Sequence, residues 1–381
     1  MVPFCIDLLS HWTQTEGIQV SESNQVTPTE RNLHRCSPIH NPVRVGEKVR
    51  RLPWRTIDVH CHLLAPAVEA LVAGHPQKVA DLAISSEAMG QKASAVNSEM
   101  MASLLPRWTN VETRRADMDA MGVDVQAVSP SPTQFYSWAE PELAELIVNR
   151  LNDAIEELCC ADPQRFVGLG AISMQYPDRA AVQLEALMRE RGFKGVEIST
   201  RVNDADIADR RFDPFWAKAD ELGAVVFIHP WGTTLGSRLA AHYLMNTIGQ
   251  PFETTVCLSK LIFGGTFDRH RQLKIIATHG GGYLPLYLGR SDHARAVRPD
   301  ASGCECRPSD YLKRIWFDSL VFDQRSLTRL IDEVGLGQIV LGTDYPFDMG
   351  HYDPGTLLNG LDQKSQRRIL GETAGELLGI T

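Results

Sequence analysis

The chain has 381 residues, 43% of them apolar and 22% charged; this balance belongs to a folded globular protein and excludes collagen, coiled coil and wholesale disorder. Thirty-eight basic residues against 47 acidic ones leave a net charge of −9, which argues against a broad nucleic-acid-binding face. No apolar run approaches the roughly 20 residues that cross a bilayer, and eight cysteines are too few for a disulfide framework, so the thiols read as reduced and the protein as cytoplasmic, without a nucleic-acid or membrane partner.

Residues 1–50 stand apart. From Thr13 to Glu47 the chain is polar, has prolines at 28, 38 and 42, and shows no sustained periodicity; it reads as a polar N-terminal extension, disordered or loosely docked. It starts without a basic stretch followed by a long apolar one, so no secretory signal is expected. His34, Cys36 and His40 lack a second His/Cys pair and read as part of this solvated tail.

Residues 51–381 read as one domain. Its predicted strands follow in order at 56–62, 123–130, 166–174, 194–200, 223–230, 274–280, 315–321 and 338–344. Most are continuous apolar runs, as parallel strands covered by helices require. Helical periodicity fills the gaps at 140–161, 178–191, 213–222, 252–264 and 323–334; in the first of these, Leu143, Ile147, Leu151, Ile155 and Leu158 recur every three or four residues. Eight such units predict an α/β fold of the (β/α)8, TIM-barrel type. A doubly wound sheet is the alternative, but neither G-x-G-x-x-G after an early strand nor G-x-x-x-x-G-K-[ST] supports it. The stretch 63–112 is too long for one connection and predicts a small inserted lobe after strand 1.

Ionisable residues collect where predicted strands end. His60 and His62 close strand 1, His229 strand 5, His279 strand 6 and Asp344 strand 8. In a barrel this is the catalytic end. Residues two apart on a strand share a face, so both imidazoles of His60-x-His62 point into the barrel mouth and Cys61 points outward. Read alone, His229 is equally a satisfied core histidine and Asp344 a turn residue before Pro346. Together, His60, His62, His229 and Asp344 make a three-nitrogen, one-carboxylate set suited to Zn2+ with an open position. His279, before three glycines, suits a general acid/base. Lys194 starts its strand rather than ending it, so one metal is expected and not two. Cys304-x-Cys306 reads as incidental, and Asp292 and His293 as structural.

These residues and their neighbours resemble the aminocarboxymuconate-semialdehyde decarboxylase branch of the amidohydrolase superfamily. The resemblance runs from about Ile57 to Ile380. It rests on IDVHCH at 57–62, MDAMGVDVQAV at 118–128, ADPQRF at 161–166, HPWG at 229–232, THGGGYLPLYLGRSDHA at 278–294 and LGTDYPFDMG at 341–350. It implies a barrel with a small inserted lobe, usually dimeric, acting as a zinc-dependent, non-oxidative decarboxylase; Mn2+ or another divalent ion would serve the same set. It implies metal ligation by His60, His62, His229 and Asp344, catalysis by His279 with Asp344, and a small unsaturated or aromatic carboxylic acid as substrate. Arg290 matches an arginine near the dimer interface, Arg298 one that reaches a partner's substrate carboxylate, and Trp231 a pocket wall. Arg107 is the nearest candidate for the carboxylate-binding arginine of the inserted lobe, several residues out of register. Gly232 stands where the family has an acidic residue. Related barrels hydrolyse lactones or amides, or hydrate double bonds, with the same ligands, so that alternative stays open.

Overall fold

The computed structural model describes residues 41–380. The expectation for residues 1–50, with His34, Cys36 and His40, falls largely outside them. Eight parallel strands run in one sheet: β1 (Ile57–Leu63), β2 (Val125–Pro130), β3 (Phe166–Gly170), β4 (Gly195–Ser199), β5 (Val225–His229), β6 (Lys274–Ala277), β7 (Ile315–Asp318) and β8 (Ile339–Val340). Hydrogen bonds beyond the end of β8 close the barrel. Val59 N donates to Leu341 O (2.9 Å), Asp344 N to His60 O (2.8 Å) and His62 N to Tyr345 O (2.8 Å). The result is the predicted TIM-type barrel.

Two apolar layers hold it together. Inside the strands, Ile57, Val59, Val125, Leu169, Phe227 and Ile276 pack with Ala374, Leu377 and Leu378 of the C-terminal helical segment. Outside, the strands pack against amphipathic helices. One is α6 (Pro141–Ala161), whose Ile147, Leu151, Ile155 and Leu158 are buried, the stripe its periodicity predicted.

Between β1 and β2 the chain makes α1 (Pro66–Val72), α2 (Pro76–Met89), α3 (Gln91–Ser103) and α4 (Leu105–Thr109), the small inserted lobe, and then α5 (Val111–Met121). Helices α2 and α3 carry little buried apolar surface: α3 has no buried residue, and Val79, Leu82, Ile84 and Val96 are all more than half exposed.

Several strands end earlier than predicted. β6 stops at Ala277 and β8 at Val340, so His279 and Asp344 lie in the loops just past their strands. Both have left-handed backbones (φ +55° and +62°), which no ladder accommodates and which β-rich composition does not disclose. β1 also holds a feature that alternation missed. Its register with β2 shifts between Asp58 and Cys61. Val59 lies in the inner layer and Cys61 in the outer one, so the bulge changes the phase of the strand in the middle of the motif.

Candidate active site

The bulge delivers His60 and His62 to the same enclosed space as His229 from the end of β5. The ring centroids lie 5.0–5.1 Å apart, and His279 approaches to within 5.3 Å of His60 and 5.1 Å of His229. All three strand histidines are buried. Asp344 Oδ1 sits 3.2 Å from His60 Nε2 and 3.3 Å from His62 Nε2, and Asp344 Oδ2 sits 4.0 Å from His279 Nε2.

The other face of each ring is tied down. His60 Nδ1 lies 2.6 Å from Asp318 Oδ2, and His229 Nδ1 lies 2.8 Å from the Pro230 carbonyl. His62 Nδ1 lies 3.2 Å from the Pro130 carbonyl and 3.3 Å from Ser129 Oγ, with Glu197 Oε2 at 3.4 Å. Carbonyl and carboxylate oxygens only accept, so each Nδ1 carries the proton and each Nε2 presents a lone pair. The three Nε2 atoms and Asp344 Oδ1 are buried and lack any hydrogen-bond partner, yet they lie within 4.8 Å of one another.

An orphaned buried polar atom costs about 1–3 kcal/mol. Four that converge fit a cation held by three imidazole nitrogens and one carboxylate oxygen. The electrostatics agree. Burial opposes charge on His60 and His62. At His60, Asp344 and Asp318 outweigh it and lift the pKa to about 10; at His62, Glu197 and Asp344 also win. Burial likewise works against the Asp344 carboxylate, but the His60 and His62 rings beside it hold it well below the usual range. The field at the centre therefore favours positive charge, and the cluster implies a divalent metal.

His229 and His279 behave differently. Burial first, and then the neighbouring rings, hold His229 well below the ordinary histidine pKa and bring His279 to about 4. The Nδ1 of His279 is buried without a partner, which leaves this ring free to exchange a proton with a bound molecule.

Sequence reasoning missed the supports. Asp318 also accepts from Gly280 N (2.8 Å) and Leu320 N (3.2 Å), tying the His279 loop to β7. Asp58 accepts from Thr343 Oγ1 (2.7 Å), Thr343 N (3.0 Å) and His60 N (3.1 Å), which sets the Asp344 loop against β1. Arg114, fully buried, donates to the His62 carbonyl oxygen and to Gln126 Oε1, and lies over the Tyr345 ring. The available signal was an acidic residue inside an otherwise apolar strand, as in IWFD and GVEIS.

The remaining sequence-derived candidates fall in different places. Trp231 is 40% exposed and lines the cavity in front of the histidines. Arg107 pairs with Asp117 (2.9 Å), which accepts from Tyr345 Oη (2.9 Å), so it braces the residue after Asp344 and does not line that cavity. Arg290 and Arg298 are exposed on and just after α8 (Leu288–Val297), and Arg298 pairs with Asp300 at 2.9 Å; neither lines the cavity within this chain. Asp292 accepts from Ser309 N and Oγ, a structural role. No helix among the described residues is long and apolar enough to cross a membrane.

Comparison with known proteins places this geometry. Over 274 residues the chain is 35% identical to a 2-amino-3-carboxymuconate-6-semialdehyde decarboxylase of Dictyostelium discoideum, covering 71% of this chain and 76% of that protein. A gamma-resorcylate decarboxylase of Rhodococcus jostii is 29% identical over 266 residues, 63% of this chain and 81% of the relative. The fold matches a crystal structure of a 5-carboxyvanillate decarboxylase of Novosphingobium aromaticivorans, complexed with manganese and 4-hydroxy-3-methoxy-5-nitrobenzoic acid. That match has a TM-score of 0.75 and 21% identity, and covers 88% of this chain and 99% of that one. A profile of the amidohydrolase family matches residues 57–380, from the strand of the first two histidines to the C-terminal helices, and the chain therefore belongs to the amidohydrolase family.

Proposed function

We propose that the chain is a metal-dependent, non-oxidative decarboxylase of a small aromatic or unsaturated carboxylic acid. The observation that carries this reading is the set of four unpartnered donor atoms on His60, His62, His229 and Asp344, with the unengaged His279 ring beside them. The names of the relatives supply the reaction class.

His60, His62, His229 and Asp344 would hold the ion. Zinc is our first expectation, and manganese suits the same donors. When bound, a divalent cation stabilises negative charge on substrate oxygens. The chain's own residues do the rest. Asp318 and the Pro130 and Pro230 carbonyls hold the three ligand rings in one tautomer. His279 relays a proton: the ring takes H+ from solvent water, and as the bond to the carboxyl carbon breaks and carbon dioxide leaves it passes that H+ to the carbon left behind. Because burial holds its pKa at about 4, a proton it takes up is readily handed on. The lobe helices α2 and α3 supply Met89, Asn97 and Met101 to the cavity wall.

A homodimer belongs to the same proposal. It rests on the resemblance and on the apolar exposure of Leu286, Tyr287 and Val297 around α8, close in sequence to Arg290 and Arg298.

The test is release of labelled carbon dioxide from carboxyl-labelled benzoic and muconic-type acids by metal-loaded protein. Carbon dioxide with one proton gained at the vacated carbon supports the reading. Incorporation of oxygen from labelled water into a lactone or amide product, without carbon dioxide, would replace it with the hydrolase alternative.

A further inference from the structure

The cavity in front of the histidines differs in polarity from what an acid with several carboxylates needs. Its lining side chains, among the described residues, include Asp344 and Asp348 but no arginine or lysine. Four methionines (Met89, Met101, Met245 and Met349) line it, together with Trp231 and Phe347. Thioethers and aromatic rings favour a flat π-system over a hydrated polyanion. One polar group in this wall has no structural use. Gln250, the first residue of α7 (Gln250–Phe263), is 7% exposed, and its Oε1 is buried without a hydrogen-bond partner. Its Nε2 faces the Met245 sulfur at 3.8 Å. Turning the amide over would set oxygen against sulfur, so the carbonyl oxygen is the group left unmatched. An acceptor buried in this way is satisfied only by a donor brought in from outside.

We infer that Gln250 determines specificity in this site, and that the substrate is an aromatic acid with a single carboxylate and a ring O–H or N–H that donates to Gln250 Oε1. The inference deepens the decarboxylase reading and rests on it for the fate of the carboxylate. It makes its own claim about binding. A second carboxylate in the cavity would meet the Asp348 carboxylate, with no arginine or lysine in the wall to offset its charge.

The test uses the full chain loaded with manganese and titrated calorimetrically. The probes are the 2-, 3- and 4-hydroxybenzoates, the fluorobenzoate matching the tightest of them, and a hydroxyisophthalate that adds a second carboxylate. The tightest hydroxybenzoate is expected to bind about tenfold or more above its fluoro counterpart, because a site built for a donor is left unpaired by the analogue. In Gln250→Met, which removes the acceptor at similar volume, that ratio is expected to fall to about threefold or less. Gln250→Asn, which draws the acceptor back, gives the same readout if the methionine variant does not fold. The ratio is what matters, because an ortho hydroxyl can also touch the ion and that contribution survives both substitutions. An unchanged ratio in the variants, tighter binding of the hydroxyisophthalate, or no binding of any hydroxybenzoate overturns the inference. A Gln250-dependent preference without carbon dioxide release leaves the inference standing and refutes the decarboxylase reading instead.

Discussion

Replacing Asp318 by asparagine should weaken metal binding more than removing the side chain altogether. Asp318 Oδ2 accepts from His60 Nδ1 at 2.6 Å, while Oδ1 accepts from Gly280 N at 2.8 Å and Leu320 N at 3.2 Å. In Asp318→Asn the two backbone N–H groups require the amide oxygen on their side. The amide N–H2 must then face His60 Nδ1, where it can only donate. His60 is driven to the other tautomer, and its proton moves to Nε2, the atom that faces the centre of the site. Loss of a carboxylate that orients a ligand histidine typically costs 10–100-fold in metal affinity, or about 1.4–2.8 kcal/mol. Asp318→Ala removes the orienting partner but imposes no wrong tautomer. It does strand two buried N–H groups, at about 1–3 kcal/mol each. The expected order of affinity is wild type, alanine, asparagine, and the expected order of stability is wild type, asparagine, alanine. Chelator-competition titration with zinc or manganese reads the first, and thermal melting of the metal-free protein the second. An asparagine variant that melts normally and binds metal within about twofold of wild type would refute the argument that Asp318 sets the tautomer of His60.

Four further outcomes are expected. His229→Ala should carry close to no metal by elemental analysis; retention of about one ion per chain would remove His229 from the ligand set. His279→Ala should keep its metal and lose about 10²–10⁴-fold in carbon dioxide release, the usual span for a proton-transfer group; loss of the metal would make it a ligand instead. Glu197→Gln should change metal affinity by less than about tenfold, because His62 Nδ1 keeps the Pro130 carbonyl at 3.2 Å and Ser129 Oγ at 3.3 Å; a loss as large as that of Asp318→Asn would mean that Glu197 is the principal partner of His62. Gly282→Ala should destabilise the fold by about 2–5 kcal/mol, since its φ is +67° and the added Cβ would lie 2.2 Å from the Pro251 carbonyl oxygen; an unchanged melting temperature would show that this loop can shift away from α7.

Much of the site was legible before any coordinates. Continuous apolar runs separated by helical stripes give a parallel barrel, because both patterns are local properties of the chain. Placing His60, His62, His229, His279 and Asp344 at strand ends then brings them to one end of that barrel, whichever strands are neighbours. The stripe of α6 and the outward Cys61 follow from the same periods. The arginines were harder to place. Arg107 has the right charge near the right helix, but its partner is Asp117, ten residues on and across a helix–helix turn, and a guanidinium's reach cannot be read from a one-dimensional register.

The sequence by itself therefore determined the fold class and which ionisable residues gather at one end of the barrel, since strand period, helix period and residue chemistry are carried by short stretches. Only the tertiary structure decided which nitrogen of each histidine faces the centre. His60 meets Asp318 across 258 residues of chain, and Thr343 meets Asp58 across 285. Those pairings depend on the stagger of β1, β7 and β8 around a closed barrel and on a bulge that shifts β1 by one residue. Gln250 acquires an empty acceptor for the same reason: its isolation in the cavity wall comes from how α7 packs beside the barrel mouth, and nothing in its sequence neighbourhood marks it.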